Sequence, residues 1–254
     1  MNREAGMIEL EICIDSVEAA VAAEMGGAQR VELCSALIEG GLTPSMGMIR
    51  VVRSRIGIGL FVMIRPRGGD FIYSDEELGA MREDIAQAKL SGADGVVFGL
   101  LKPSGEVDVE RTRELVELAR PLKVTFHRAF DMALDMETAL EDIVRTGADR
   151  VLTSGGESTG VLGSGMIARM VERSAGRIGI MTCGELCADN VQQVARATGA
   201  TQFHAALRTA VPSPAIYRKA DLSMGEPGMD EFTRYTVLVE DVRALREAID
   251  AVTQ

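Results

Sequence analysis

Short apolar runs of four to six residues alternate along the chain with longer stretches whose apolar positions recur every three or four residues. The short runs predict strands at Ile8–Cys13, Arg30–Cys34, Leu60–Arg65, Gly95–Phe98, Lys123–His127, Arg150–Thr153, Arg177–Met181 and Gln202–Ala205. The longer ones predict helices such as Ser16–Met25, Asp75–Leu90, Val109–Ala119, Met136–Thr146 and Asp189–Thr198, with a closing helix near Tyr235–Ala251. Ser74 and Asp75 ahead of Glu77, and Asp108 further on, supply N-cap chemistry. Strands that alternate with helices imply parallel βαβ units, and eight of them imply an α/β fold: a parallel eight-stranded TIM-type (β/α)8 barrel. A doubly wound open sheet is the alternative.

An internal phrase favours the barrel. Gly27-Ala28-Gln29-Arg30-Val31, Gly92-Ala93-Asp94-Gly95-Val96, Gly147-Ala148-Asp149-Arg150-Val151 and Gly199-Ala200-Thr201-Gln202-Phe203 are variants of one another, 65, 55 and 52 residues apart. Each closes a predicted helix and opens an even-numbered strand, with Gly free to take the left-handed turn. Recurrence at every second unit is what a closed barrel gives, since alternate strands fill equivalent layers. Pro212, Pro214, Pro227 and several Gly break any helical pattern after the eighth strand, so 207–232 is expected as a long loop. Residues 1–6 are expected as a flexible tail, and no linker divides 1–254, which is expected to be a single domain.

Composition narrows the function classes. The 254 residues carry a net charge of −11, which argues against a nucleic-acid binder or a polybasic membrane-surface protein. The apolar run Ile56–Ile64 is too short to span a bilayer. With four Cys and no secretory pattern, a reducing cytoplasm is expected, with the Cys as thiols.

The chemistry concentrates where a barrel places its active face, at the C-terminal ends of the strands. Glu11-Ile12-Cys13 and Glu32-Leu33-Cys34 repeat one pattern on the first two strands, with each Glu and Cys on the same side. Neighbouring strands run roughly 4.8 Å apart, so the two thiols could clasp one soft ion such as Cu(I). The commoner role for such residues is as small core side chains. Arg65-Pro66-Arg67-Gly68-Gly69-Asp70 offers two guanidinium groups to a phosphate or carboxylate, unless Arg65 neutralises Glu11, Glu32 or Asp131. His127 is a candidate general base or metal ligand with Asp131 to orient it, and Glu11 or Glu32 could be its acid–base partner. Ser154-Gly155-Gly156 offers a small nest of N–H groups for an anion. His204 carries a weaker signal, and Cys183-Gly184-Glu185-Leu186-Cys187 reads as a turn. No dinucleotide fingerprint, P-loop or nucleophile elbow is present.

Taken together, these motifs resemble the CutC family. Glu32-Leu33-Cys34 leading to Gly40-Gly41-Leu42-Thr43-Pro44-Ser45 is similar to that family. So are Met63-Ile64-Arg65-Pro66-Arg67-Gly68-Gly69-Asp70-Phe71, Thr125-Phe126-His127-Arg128-Ala129-Phe130-Asp131 and Leu152-Thr153-Ser154-Gly155-Gly156. The resemblance implies a cytosolic TIM barrel of copper homeostasis, homo-oligomeric (dimer or higher), with Cys13 and Cys34 as Cu(I)-binding thiols. The chain departs from the family pattern after the seventh strand, where Met181-Thr182-Cys183-Gly184-Glu185-Leu186 replaces a Gly-rich turn. Ala205-Ala206-Leu207 likewise lacks the hydroxyl or thiol expected there. An anion would then rely on Arg65, Arg67 and the Ser154-Gly155-Gly156 turn. Two readings stand: a Cu(I)-binding homeostasis protein, or a barrel enzyme acting on a small anionic metabolite. A scaffold with an idle mouth is the third.

Overall fold

The computed structural model describes residues 8–219, 222 and 230–252, so the expected tail at 1–6 lies outside the described residues. The strands of the barrel are β1 (Glu9–Ile14), β2 (Arg30–Leu33), β3 (Gly59–Met63), β4 (Gly95–Phe98), β5 (Lys123–Phe126), β6 (Arg150–Thr153), β7 (Gly179–Thr182) and β8 (Gln202–Ala205). Between them run α1 (Val17–Met25), α2 (Met46–Arg55), α3 (Asp75–Leu90), α4 (Val109–Ala119), α5 (Met136–Thr146), α6 (Ser164–Ser174) and α7 (Val191–Thr198). All neighbouring strands are parallel, and β8 pairs with β1 to close the barrel, which excludes the open sheet.

Alternation along each strand divides the molecule into two compartments. Leu10, Ile12, Val31, Leu33, Leu60 and Val62 point outward and are fully buried beneath the helices. At about 1.5–3 kcal/mol for each such side chain, this outer shell carries the hydrophobic stabilisation. The inward set is mixed. Glu11, Arg30 and Arg150 lie buried inside, with the Phe61 ring 5.2 Å from the Arg30 guanidinium carbon and 4.8 Å from that of Arg150. Gly95 is required beside that ring, because a Cβ there would meet it at 2.2 Å.

The repeated phrase turns out to be a clamp as well as a turn. Gly27, Gly92, Gly147 and Gly199 all have positive φ, between 67° and 95°. The third residue of the phrase then reaches back to the preceding strand. Gln29, Asp94 and Asp149 accept hydrogen bonds from the backbone N–H groups of Leu10, Leu60 and Val124, each at 2.8 Å. N-caps fall where the sequence puts them: Ser74 and Glu77 form a full capping box on α3, and Asp108 caps α4.

Two expectations are corrected beyond the eighth strand. The 207–232 stretch is not all loop, because β9 (Thr209–Pro212) pairs antiparallel with β10 (Thr233–Thr236). The closing helix does not begin at Tyr235, which lies in β10; α8 spans Val239–Asp250. The Thr233-Arg234-Tyr235-Thr236 run is rich in β-branched and aromatic residues, and with a partner strand available it pairs as a ribbon. Among the described residues no helix is long and apolar enough to cross a membrane.

Candidate functional site

The two thiols meet. Cys13 ends the inward face of β1, and Cys34 follows β2 with its N–H donated to the Ile14 carbonyl at 2.9 Å. Their Sγ atoms lie 4.0 Å apart, both buried. Glu11 and Glu32, two residues before each Cys, share the same interior. Closure of the barrel adds a group that strand-by-strand reading undervalues. β8 lies beside β1 with His204 level with Glu11, so the imidazole Nδ1 sits 2.7 Å from Glu11 Oε1 and Nε2 sits 3.9 Å from Glu32 Oε2. One ligand atom each from Cys13, Glu32 and His204 falls within 4.8 Å of the others.

This cluster is charged and strongly coupled. Burial pushes the Glu11 carboxyl up, but Arg30 at 2.6 Å and the hydrogen bond to His204 outweigh it and bring it down to about 2. Contact with Cys34 and the neighbouring His204 lower the Cys13 thiol to about 5 against the cost of burial. Cys34 moves the other way, pushed up by the same sulfur contact and by burial. The one contact thus drives the two sulfurs in opposite directions. Burial and the Cys13 thiolate hold Glu32 well above the usual carboxylate range. Burial opposes protonation of His204, but Glu32, Cys13 and Glu11 override it and raise its pKa.

Beside the cluster, a cavity of about 750 Å³ opens at the mouth, lined by Cys13, Glu32 and His204 and also by Arg65 and His127. Arg65 is buried, and it does not neutralise Glu11, Glu32 or Asp131. Its guanidinium donates to the carbonyls of Glu39 at 2.6 Å, Gly41 at 3.2 Å and Gly69 at 2.8 Å. Arg67 leaves the mouth instead, bound to Glu77 at 2.6 Å and Asp70 at 3.0 Å.

His127 follows β5, and its ring fits only because Gly99 has no Cβ, which would meet Nδ1 at 2.5 Å. Nδ1 accepts the Ala129 N–H at 3.2 Å, so the expected orientation by Asp131 is not made. Asp131 turns to the loop after β6. It accepts from the N–H groups of Ser154 and Gly156, both at 3.1 Å, from Thr153 Oγ1 at 2.5 Å and from Arg128 Nε at 2.7 Å. The Gly155 N–H goes to Thr153 Oγ1 at 2.8 Å. Of the three N–H groups expected to receive an anion, those of Ser154 and Gly156 hold the chain's own carboxylate, and that of Gly155 turns to Thr153. The loop after β7 folds on the loop after β6 through Gly160 N–H to the Gly184 carbonyl at 2.8 Å, and Cys183 is buried with its thiol pushed up by desolvation.

Burial, with Arg65 nearby, depresses the His127 pKa to about 3. Its folded value thus lies below the unfolded value of about 6.5, so its contribution is intact at neutral pH. As pH falls below 6.5 the unfolded chain takes up a proton that the folded protein refuses, at about 1.4 kcal/mol per unit. Between pH 7 and pH 5 wild type should therefore lose about 2 kcal/mol relative to His127→Phe. Urea titrations of both proteins at the two pH values check this, and a constant difference would contradict a buried neutral ring.

Comparison with known proteins agrees with the geometry. The model of the CutC family matches residues 8–209. The chain is 47% identical over 241 residues to a CutC family protein of Chromobacterium violaceum, covering 95% of this chain and 98% of that one. It is 48% identical over 237 residues to the copper homeostasis protein cutC homolog of Homo sapiens, covering 93% and 86%. The crystal structure of CutC from Streptococcus agalactiae superposes with a TM-score of 0.74 at 34% identity, covering 78% of this chain and 98% of that one. A family match across the whole barrel, and relatives nearly half identical along almost its full length, make this chain a member of the CutC family.

Proposed function

We propose that the protein serves copper homeostasis by holding Cu(I) between Cys13 and Cys34 at the barrel mouth. The observation that carries this is the sulfur pair, buried and 4.0 Å apart. First-row metal–thiolate bonds run at about 2.3 Å, so one ion can reach both sulfurs up to a separation of about 4.6 Å. Thiolates are the ligands that a soft monovalent ion selects. His204 stands at hand as a nitrogen donor, with Glu11 gripping Nδ1 and leaving Nε2 toward the cluster, the arrangement that orients metal-binding imidazoles. Glu32 Oε1 is buried without a hydrogen-bond partner, so an acceptor is also left over. The human relative is named a copper homeostasis protein, which supports copper homeostasis as the role.

In a competition titration against a Cu(I) chelator, the protein should take one equivalent, and Cys13→Ser with Cys34→Ser should weaken uptake by more than about a hundredfold. Unchanged uptake in the double variant would remove the thiols from the account. We also take the protein to be a cytoplasmic homo-oligomer. All four cysteines are free thiols, and Ile38, Met132, Leu134 and Leu162 are large apolar side chains left exposed. A second reading, a barrel enzyme acting on a small anionic metabolite, draws on the size of the cavity. About 750 Å³ is the scale of an organic ligand rather than an ion.

A further inference from the structure

We propose that the Arg65–His127 side of the cavity is a binding site for an organic monocarboxylate with an apolar body. The hydrogen-bond inventory at His127 is the starting point. Nδ1 accepts from Ala129, so in the neutral ring the proton sits on Nε2. That N–H is buried, has no acceptor, and belongs to a ring that lines the cavity and is 4% exposed. A buried donor left unmet is costly, and native structures rarely keep one without a use.

Arg65 is the second half of the site. It is 5% exposed, its partners are neutral carbonyls, and among the described residues no carboxylate forms a salt bridge with it. An uncompensated buried cation beside an unmet N–H calls for an acceptor with one negative charge. Carbonyls fix the guanidinium in place without neutralising it, which leaves its field for a ligand.

The rest of the wall sets the ligand class. Phe71, Ile72, Leu101, Met132 and Leu152 line the same space, which suits an apolar body. A single negative charge matches the one buried cation without a salt bridge, since Arg128, which also borders the cavity, is already paired with Asp131. Phe71 covers the head-group seat: its ring lies 5.0 Å from the Arg65 guanidinium carbon and 4.9 Å from the His127 ring. That half-buried ring, in contact with both donors, offers an aromatic face to the ligand's apolar part.

Cys13 lines the same cavity, so the test is run with a Cu(I) chelator present to keep the thiol pair free of metal. The probes are 3-phenylpropionate, the isosteric alcohol 3-phenylpropan-1-ol, and phenyl phosphate, followed by calorimetry and by the His127 ring nitrogens in NMR. The acid should bind at least about tenfold tighter than either control and shift the Nε2–H resonance. Arg65→Met and His127→Phe should each weaken the acid about tenfold, while Arg65→Lys retains part of the affinity and guards against loss of folding. Alcohol binding as tight as the acid, tighter phosphate binding, or no saturable binding of the acid to the intact protein would overturn the proposal.

Discussion

Glu11→Ala should lower the free energy of unfolding by about 3–5 kcal/mol at neutral pH, the range for removing one partner from a buried ion pair. Glu11 is 0% exposed and joins Arg30 Nε at 2.6 Å to His204 Nδ1 at 2.7 Å. Without it, Arg30 keeps Glu9, at the half-open end of the barrel, as its carboxylate partner, and His204 is left with Cys13 and its longer approach to Glu32. The pH dependence gives the effect a signature. The folded pKa of Glu11, about 2, lies below its ordinary value of 4.5. Its stabilisation is therefore complete above pH 4.5 and is lost as pH falls toward 2. Urea unfolding should show the wild-type advantage shrinking as pH falls below 4.5. A loss of less than about 1 kcal/mol would mean that Glu11 does not tie the interior together.

Asp131→Ala should cost about 3–4 kcal/mol, for a different reason. The carboxylate, 5% exposed, satisfies two backbone N–H groups, the Thr153 hydroxyl and the Arg128 guanidinium. Hydrogen bonds to a charged group contribute about 1.5–3 kcal/mol each, and orphaned buried donors add their own desolvation cost. The variant leaves an empty nest with positive character, so a small anion should refill it. Acetate or formate at about ten times its dissociation constant should restore roughly 1.4 kcal/mol to the variant and nothing to wild type. Equal responses of the two proteins to acetate would rule out a refilled nest. Glu11 and Asp131 have their carboxylate oxygens committed to partners within the protein, whereas His127 keeps an unmet ring nitrogen and Arg65 an unmet Nε.

Much of this was legible one strand at a time. Glu11 and Cys13, or Glu32 and Cys34, share a face because they are two residues apart, and period two belongs to any strand. The Gly-Ala phrases marked the even strands because a chain turning from helix back to sheet needs the left-handed residue that Gly supplies most cheaply. The nest at Ser154-Gly155-Gly156 was visible in composition, but its occupant was not. Asp131 lies on the far side of a helix and a strand, and nothing local says where its carboxylate turns. For Thr233–Thr236 the sequence expectation divides between loop and the start of the closing helix near Tyr235, since only the partner at Thr209–Pro212 makes the run a strand.

The sequence by itself determined the eight βα steps, the outward apolar shell and the placing of two thiols near one another. These follow from periodicities of two and 3.6 residues and from turn chemistry, which act over a few residues. The tertiary structure alone decided that His204 meets Glu11 across 193 residues, that Asp131 fills the nest, and that Arg65 and His127 are left facing a cavity without an anion partner. Those outcomes depend on the register at which the barrel closes. Register is set by the packing of all eight strands at once, and no single segment carries that information.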